Sequence, residues 1–143
     1  MYGVILTLLE YAQHSKDVAL REKLVTSFSW LDGAILWGNG VMGKRAQRLF
    51  AFLGFNITCI FDKAGGKATA SGIPVKKPDA AILGTRQHKV LVTPKKYYDE
   101  IEEELCGFGL LENEDFYRYR DIERSIARVI AEARYGGKRF AWL

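Results

Sequence analysis

The sequence is poor in the residues that staple small proteins or load them with metal. It has two cysteines, Cys59 and Cys106, and two histidines, His14 and His88, among 143 residues. The cysteines lie far apart with no CxxC spacing, which argues against a disulfide framework or a zinc site. Each falls in an apolar pattern, so both are expected to be buried free thiols in a reducing compartment. His14 lies in a polar stretch and His88 in the basic loop Arg86-Gln87-His88-Lys89. Neither has metal-ligand spacing with another His or Cys, and both are expected at the surface, with His88 the better catalytic candidate through its nearness to a sheet end. Long apolar runs are missing too: nothing approaches the roughly 20 residues of a membrane span. The N-terminal run Val4–Leu9 has no basic leader and no small-residue cleavage site. It is expected to be helix rather than signal peptide, and the protein to be cytoplasmic. Charge of one sign is scarce: 21 basic and 17 acidic residues leave a net +4, which admits an anionic ligand without demanding nucleic acid.

What is present suffices for one domain. Apolar residues make up 48 % of the chain, enough for a core without covalent help, and no repeat, low-complexity stretch or linker divides residues 1–143. Ile5, Leu8, Leu9 and Ala12, then Leu20, Leu24, Phe28 and Leu31, recur at helical spacing around a polar break at Gln13–Asp17, predicting a helical arm over 1–32. Ala34–Trp37 reads as a strand. A glycine turn follows, then a helix carrying Ala46, Leu49, Phe50 and Leu53 and closed by Gly54. Ile57–Phe61 is a second strand, so 34–61 forms a βαβ unit. Residues 63–77 read as a loop, with a brief edge strand at Ile73–Val75, and a short helix is expected from Pro78 to Leu83. Lys89–Thr93 is predicted to be a third core strand, with Thr93 and Pro94 opening a helix that runs to about Cys106. An edge strand is expected near Phe116–Arg120. Asp121 is expected to cap a final helix whose stripe is Ile122, Ile126, Val129, Ile130 and Ala133, stopped at Gly136-Gly137. The expected fold class is α/β: a three-layer domain with a short, mostly parallel sheet, the helical arm, a core over 33–112, and an edge strand and C-terminal helix over 113–143.

Gly38-Asn39-Gly40-Val41-Met42-Gly43 matches G-x-G-x-x-G. Alone the motif is common, but here it leaves a strand and opens a helix, and Asp62 ends the next strand near the expected separation of about 20 residues. The chemistry is that of a Rossmann-like turn: the first glycine permits the bend, the second lets a phosphate approach the backbone, and the third lets helix and strand pack closely. Free N–H groups at the helix start favour an anion. Gly38, Asn39, Gly40, Val41, Met42, Gly43 and Asp62 are therefore the candidate binding residues. An Asp62 carboxylate would accept from ribose hydroxyls and repel a 2′-phosphate, so NAD or a nucleoside diphosphate fits better than NADP. The competing reading is a turn that binds nothing, with Asp62 a surface acid. Gly38–Lys44 also matches most of a P-loop, but Arg45 stands where a Ser or Thr would hold Mg²⁺, which argues against NTP hydrolysis.

The order ILWGNGVMGKRAQRLFAFLGFNITCIFD, SGIPVKKPDAA and KVLVTPKKYYDEIEEELCGFG resembles a small Rossmann-like domain of bacterial surface-polysaccharide proteins, found before sugar O-acyltransferase and sugar dehydratase parts and attached to methyltransferases. The resemblance covers about residues 33–112. It implies binding of a nucleotide or nucleotide-sugar at Gly38–Gly43 and Asp62. The chain departs from that pattern in lacking hexapeptide repeats and a Tyr-x-x-x-Lys pair; Tyr135 with Arg139 comes nearest. Trp37 and Asn39 replace smaller residues beside the first two glycines, Trp37 in a position to narrow a pocket and Asn39 to donate a hydrogen bond.

No catalytic set and no metal set emerges, and whether the chain is an enzyme stays open. The acidic run Asp99–Glu104 reads as a solvated helix face. Tyr117-Arg118-Tyr119-Arg120 alternates aromatic and basic residues, as RNA binders do, but no RNA motif supports it and an edge strand explains it. The tail KRFAWL carries Arg and Trp, common interface anchors, which would suit a homodimer mate or partner chain. The expected function is an accessory nucleotide or nucleotide-sugar binding module in polysaccharide or sugar metabolism. Two alternatives stay open: an NAD- or S-adenosylmethionine-dependent enzyme subunit that needs a partner, and an interaction domain with a vacant site.

Overall fold

The layers follow from two periodicities, alternation along strands and recurrence every helical turn. The structure is a computed structural model and describes residues 2–136. Helix α1 (Tyr2–His14) buries Ile5, Leu8, Leu9 and Ala12. The Asp17 carboxylate accepts from Leu20 N at 3.0 Å and starts α2 (Val18–Ser27), so the arm is two helices with a capped break between them. A 3₁₀ turn (Ser29–Leu31) leads into β1 (Ala34–Trp37). Then come α3 (Val41–Leu53), β2 (Ile57–Phe61), β3 (Val75–Lys76), α4 (Ala80–Gly84), β4 (Val90–Val92), α5 (Tyr98–Gly107), β5 (Phe116–Arg118) and α6 (Tyr119–Tyr135). Gly54 ends α3 in the left-handed region at φ 75°, where a side chain would be strained.

The strands lie in the order β3-β2-β1-β4-β5, and every pairing is parallel. The sheet is buried on both sides, as parallel sheets require. Ala34, Leu36, Ile60 and Leu91 pack with α1, α2, α3 and α6 on one face. Ile35, Trp37, Cys59, Phe61, Val90, Val92 and Phe116 pack with α4 and α5 on the other. The α/β, Rossmann-like three-layer reading of the sequence holds.

Several boundaries differ from the sequence reading, each for a local reason. α5 opens at Tyr98 because Thr93 is tied back to the sheet: its N–H and its hydroxyl both donate to Trp37 O, at 3.0 and 2.9 Å. α4 opens at Ala80 because the Asp79 carboxylate accepts from Ala81 N and Ile82 N. The edge strand β3 begins at Val75 rather than Ile73. α6 follows β5 directly, so Asp121 lies in its first turn instead of capping it. Val129 is half-buried and Ala133 exposed, and the buried stripe instead includes Glu123, Ala127 and Ala131. Cys59 is buried as expected, but Cys106 is exposed. Gly136 is the C-cap of α6; Gly137, Arg139 and the tail KRFAWL lie outside the described residues.

Candidate functional site

The three glycines of the turn do different work. Gly38 leaves β1 at φ 111°, and a Cβ there would sit 2.5 Å from Thr93 Oγ1 and 2.8 Å from Pro94 Cδ. A Cβ on Gly43, in the first turn of α3, would run into the carbonyl oxygen of Gly38. Both are packing glycines that let β1, β4 and α3 approach. Gly40 is different: it is the N-cap of α3 in an extended conformation, and a Cβ there meets nothing within 4 Å. An N-cap normally carries an oxygen that accepts from the helix's first N–H groups; here no side chain does so. Those N–H groups, with the positive end of the helix dipole, therefore have no side-chain oxygen on them. The turn lies at the C-terminal end of β1, between β2 and β4, where successive strands are added on opposite sides. Open α/β sheets bind ligands in the crevice at such a switch point.

The remaining candidates have these settings. Asn39 Oδ1 accepts from Gln47 Nε2 at 3.0 Å, so its side chain is held along α3. Val41 is exposed, and Met42 is half-buried with its sulfur 3.8 Å from Tyr2 Oη. Asp62 is half-buried at the end of β2, and its Oδ1 accepts from Ala64 N at 2.9 Å, shaping the turn that follows. Trp37 does not narrow the site. It is buried on the α4–α5 face of the sheet, edge-on to Phe61 with ring centroids 5.8 Å apart.

Two cavities flank the turn. One, on the β2 side, encloses about 510 Å³ between α3 and the 69–71 loop and is lined by Asn39, Lys44, Gln47, Arg48, Thr69 and Ser71. The other, about 250 Å³, lies at the C-terminal ends of β4 and β5 and reaches Met42 at the start of α3; its polar walls are Lys95, Lys96, Tyr98, Asp99, Arg118 and Arg120. Asp62 lines neither. Arg118 stacks on the Tyr98 ring with Cζ 3.8 Å from its centroid. Burial above all, then the charge of Glu112, pushes the Tyr98 hydroxyl up to about 12, against the opposing pull of Arg118.

The sequence reading missed this second cavity, whose residues come from the β4–α5 connection and the β5–α6 junction. It also missed a buried cluster behind it. Arg45 donates from both Nε and a terminal nitrogen to the Glu123 carboxylate, and Tyr2 Oη donates to Glu123 Oε1 at 2.6 Å. Glu123 is 1 % exposed. Burial alone would lower the Arg45 value, but the Glu123 carboxylate and the Tyr2 hydroxyl hold it above the ordinary one. Tyr119 lies in the same environment, its phenol raised well above the usual range by burial and then by Glu123. The one legible signal was an acid beside the apolar stripe of α6; its partners, from α1 and α3, leave no trace in local sequence.

The histidines lie away from the turn. His88 Nδ1 is 3.1 Å from Gly33 O, at the N-terminal end of the sheet and so opposite the site, which removes its claim as a catalytic candidate. His14 pairs with Glu10 on the surface of α1. Among the described residues no group of three or more His, Cys, Asp or Glu is placed to hold a metal, and no helix is long and apolar enough to cross a membrane. Comparison of the chain with protein-family models, curated proteins and solved structures finds no match in any of the three.

Proposed function

We propose that the chain is an accessory binding module for a nucleotide or nucleotide-sugar, with a diphosphate seated over Gly40 on the first N–H groups of α3. The observation that carries this is the contrast within the turn: packing requires Gly38 and Gly43 but leaves the space over Gly40 open at an uncapped helix start. An anion is the natural occupant of such a place. The β2-side cavity offers amide and hydroxyl groups suited to a ribose, with Asp62 at the end of the neighbouring strand. The reading needs no catalytic residue in this chain; a partner or a fused enzyme would supply the reaction.

A thermal-shift panel of NAD, NADP, S-adenosylmethionine, coenzyme A and UDP-sugars tests it, on the native protein and on Gly40→Asp. An aspartate fits the extended N-cap of α3, caps it and repels a phosphate, so the variant should fold at least as well and bind nothing. A ligand at 100 times its Kd stabilises the native fold by about 2.7 kcal/mol, a shift of several degrees. A native shift that vanishes in Gly40→Asp supports the reading. No shift with any compound, or one that survives the aspartate, removes it.

A further inference from the structure

We infer that the cavity at the ends of β4 and β5 is a second anion-binding subsite, and that the ligand is a nucleotide whose far end carries a carboxylate or phosphate. This rests on the nucleotide reading above and specifies its substrate class. The cavity and the glycine turn are continuous: Met42 belongs to both, and Thr93 and Pro94, which wall the cavity, also pack against Gly38. A ligand with its diphosphate over Gly40 would thus extend into one flank or the other at each end.

The lining carries four cations, Lys95, Lys96, Arg118 and Arg120, against one acid, Asp99. Among the described residues none of the four cations takes part in an ion pair. Glu102 and Glu112 act on Arg118 and Tyr98 from the α5 side without closing a pair. Exposed lysines alone would be an ordinary solvated surface, but two buried atoms make this wall different. Tyr98 is 5 % exposed, and its hydroxyl is buried beside the Arg118 guanidinium without a hydrogen bond of good geometry. Arg120 Nε is likewise buried and unpartnered. Buried donors are ordinarily satisfied, and an unsatisfied one calls for a missing partner. The arginine planes are held in place by stacking, Arg118 on Tyr98 and Arg120 on Tyr2, with Cζ 3.8 and 4.6 Å from the ring centroids. Stacked guanidinium groups keep their N–H edges for a carboxylate or phosphate, which they bind in bidentate fashion.

The test is calorimetric titration with two matched pairs: UDP-glucose against UDP-glucuronate, and glucosyl phosphate against glucuronosyl phosphate. The second pair removes any dependence on the base. The acidic member of each pair should bind the native protein at least about tenfold more tightly, the effect of one charge-assisted contact. That preference should fall to about unity in Lys95→Gln/Lys96→Gln and in Arg118→Gln, all surface positions, while binding of the neutral members persists. Equal affinity within both pairs, or a preference unchanged in both variants, overturns the inference and leaves the nucleotide reading standing. Failure of all four compounds to bind overturns this inference, and the nucleotide reading falls with it only if the thermal-shift panel also gives no shift.

Discussion

On its β2 flank the glycine turn meets the neutral groups of Asn39, Gln47, Thr69 and Ser71 together with two cations, Lys44 and Arg48. On its β4–β5 flank it meets two lysines and two arginines with a single carboxylate. The two cavities share a helix start and differ in how their polar groups are employed. Asn39 and Gln47 bond each other, whereas Tyr98 Oη and Arg120 Nε are buried without a well-formed hydrogen bond. An asymmetric ligand, hydroxyl-rich at one end and anionic at the other, would match that division.

The largest effect expected concerns the hinge between the flanks. Gly43→Ala places a methyl group against the Gly38 carbonyl and should destabilise the fold by about 3 kcal/mol, as overpacking against backbone does. Gly40→Asp should lie within about 1 kcal/mol of the native protein, on the stabilising side. Urea midpoints compare the two, and a similar loss in both would erase the distinction between packing and open glycines. Next comes the support behind the β4–β5 flank. Arg45→Met leaves the Glu123 carboxylate buried without its counter-charge and should cost about 3 kcal/mol, while Arg45→Met/Glu123→Leu should recover most of it. A double variant no better than the single would mean that the pair is worth more than apolar packing in its place.

A smaller effect is set by pH. Tyr98 ionises at about 12 in the fold against an ordinary 10, so between those values the unfolded chain sheds the proton first and stability falls as pH rises. Below pH 10 the full stability is present. Tyr2, Tyr117 and Tyr119, whose phenols are also raised by burial, add to that slope, so Tyr98→Phe should make it shallower by the share of one proton; an unchanged slope would show that Tyr98 is not among the groups titrating. Smallest is Asp62→Ala, which loses one bond to Ala64 N and should cost about 1 kcal/mol or less. If Asp62, at the end of β2, accepts from the ribose of a bound nucleotide, the same change should weaken nucleotide binding by about tenfold. Unchanged affinity by calorimetry would leave Asp62 as a turn former alone.

The parts of this molecule legible in its sequence are those written locally. Gly38, Gly40 and Gly43, the apolar run Ala34–Trp37, the β-branched-rich run Ile57–Phe61, and the helical stripe of α3 all fall within one βαβ unit, and the structure follows them closely. Boundaries slipped where a residue with good local credentials was used by something distant. Thr93 looks like an N-cap, yet its hydroxyl serves Trp37 O in the neighbouring strand. The β4–β5 cavity was hidden because Lys95, Tyr98, Arg118 and Arg120 come from two chain connections brought side by side by the crossover to β5. In the sequence Arg118 and Arg120 read only as part of an aromatic–basic alternation, the pattern of an RNA binder or of an edge strand.

Tyr2 and Glu123 stand 121 positions apart and meet in one hydrogen bond. Synthesis runs from the first of them to the second. Through most of that time α1 has been made and α6, the element it packs against most extensively, has not. Until then the apolar row Ile5, Leu8, Leu9 and Ala12 has no permanent cover, the circumstance in which growing chains associate with one another or with chaperones. The arm is thus made well before the helix that fixes it, and takes its final place only when that helix arrives.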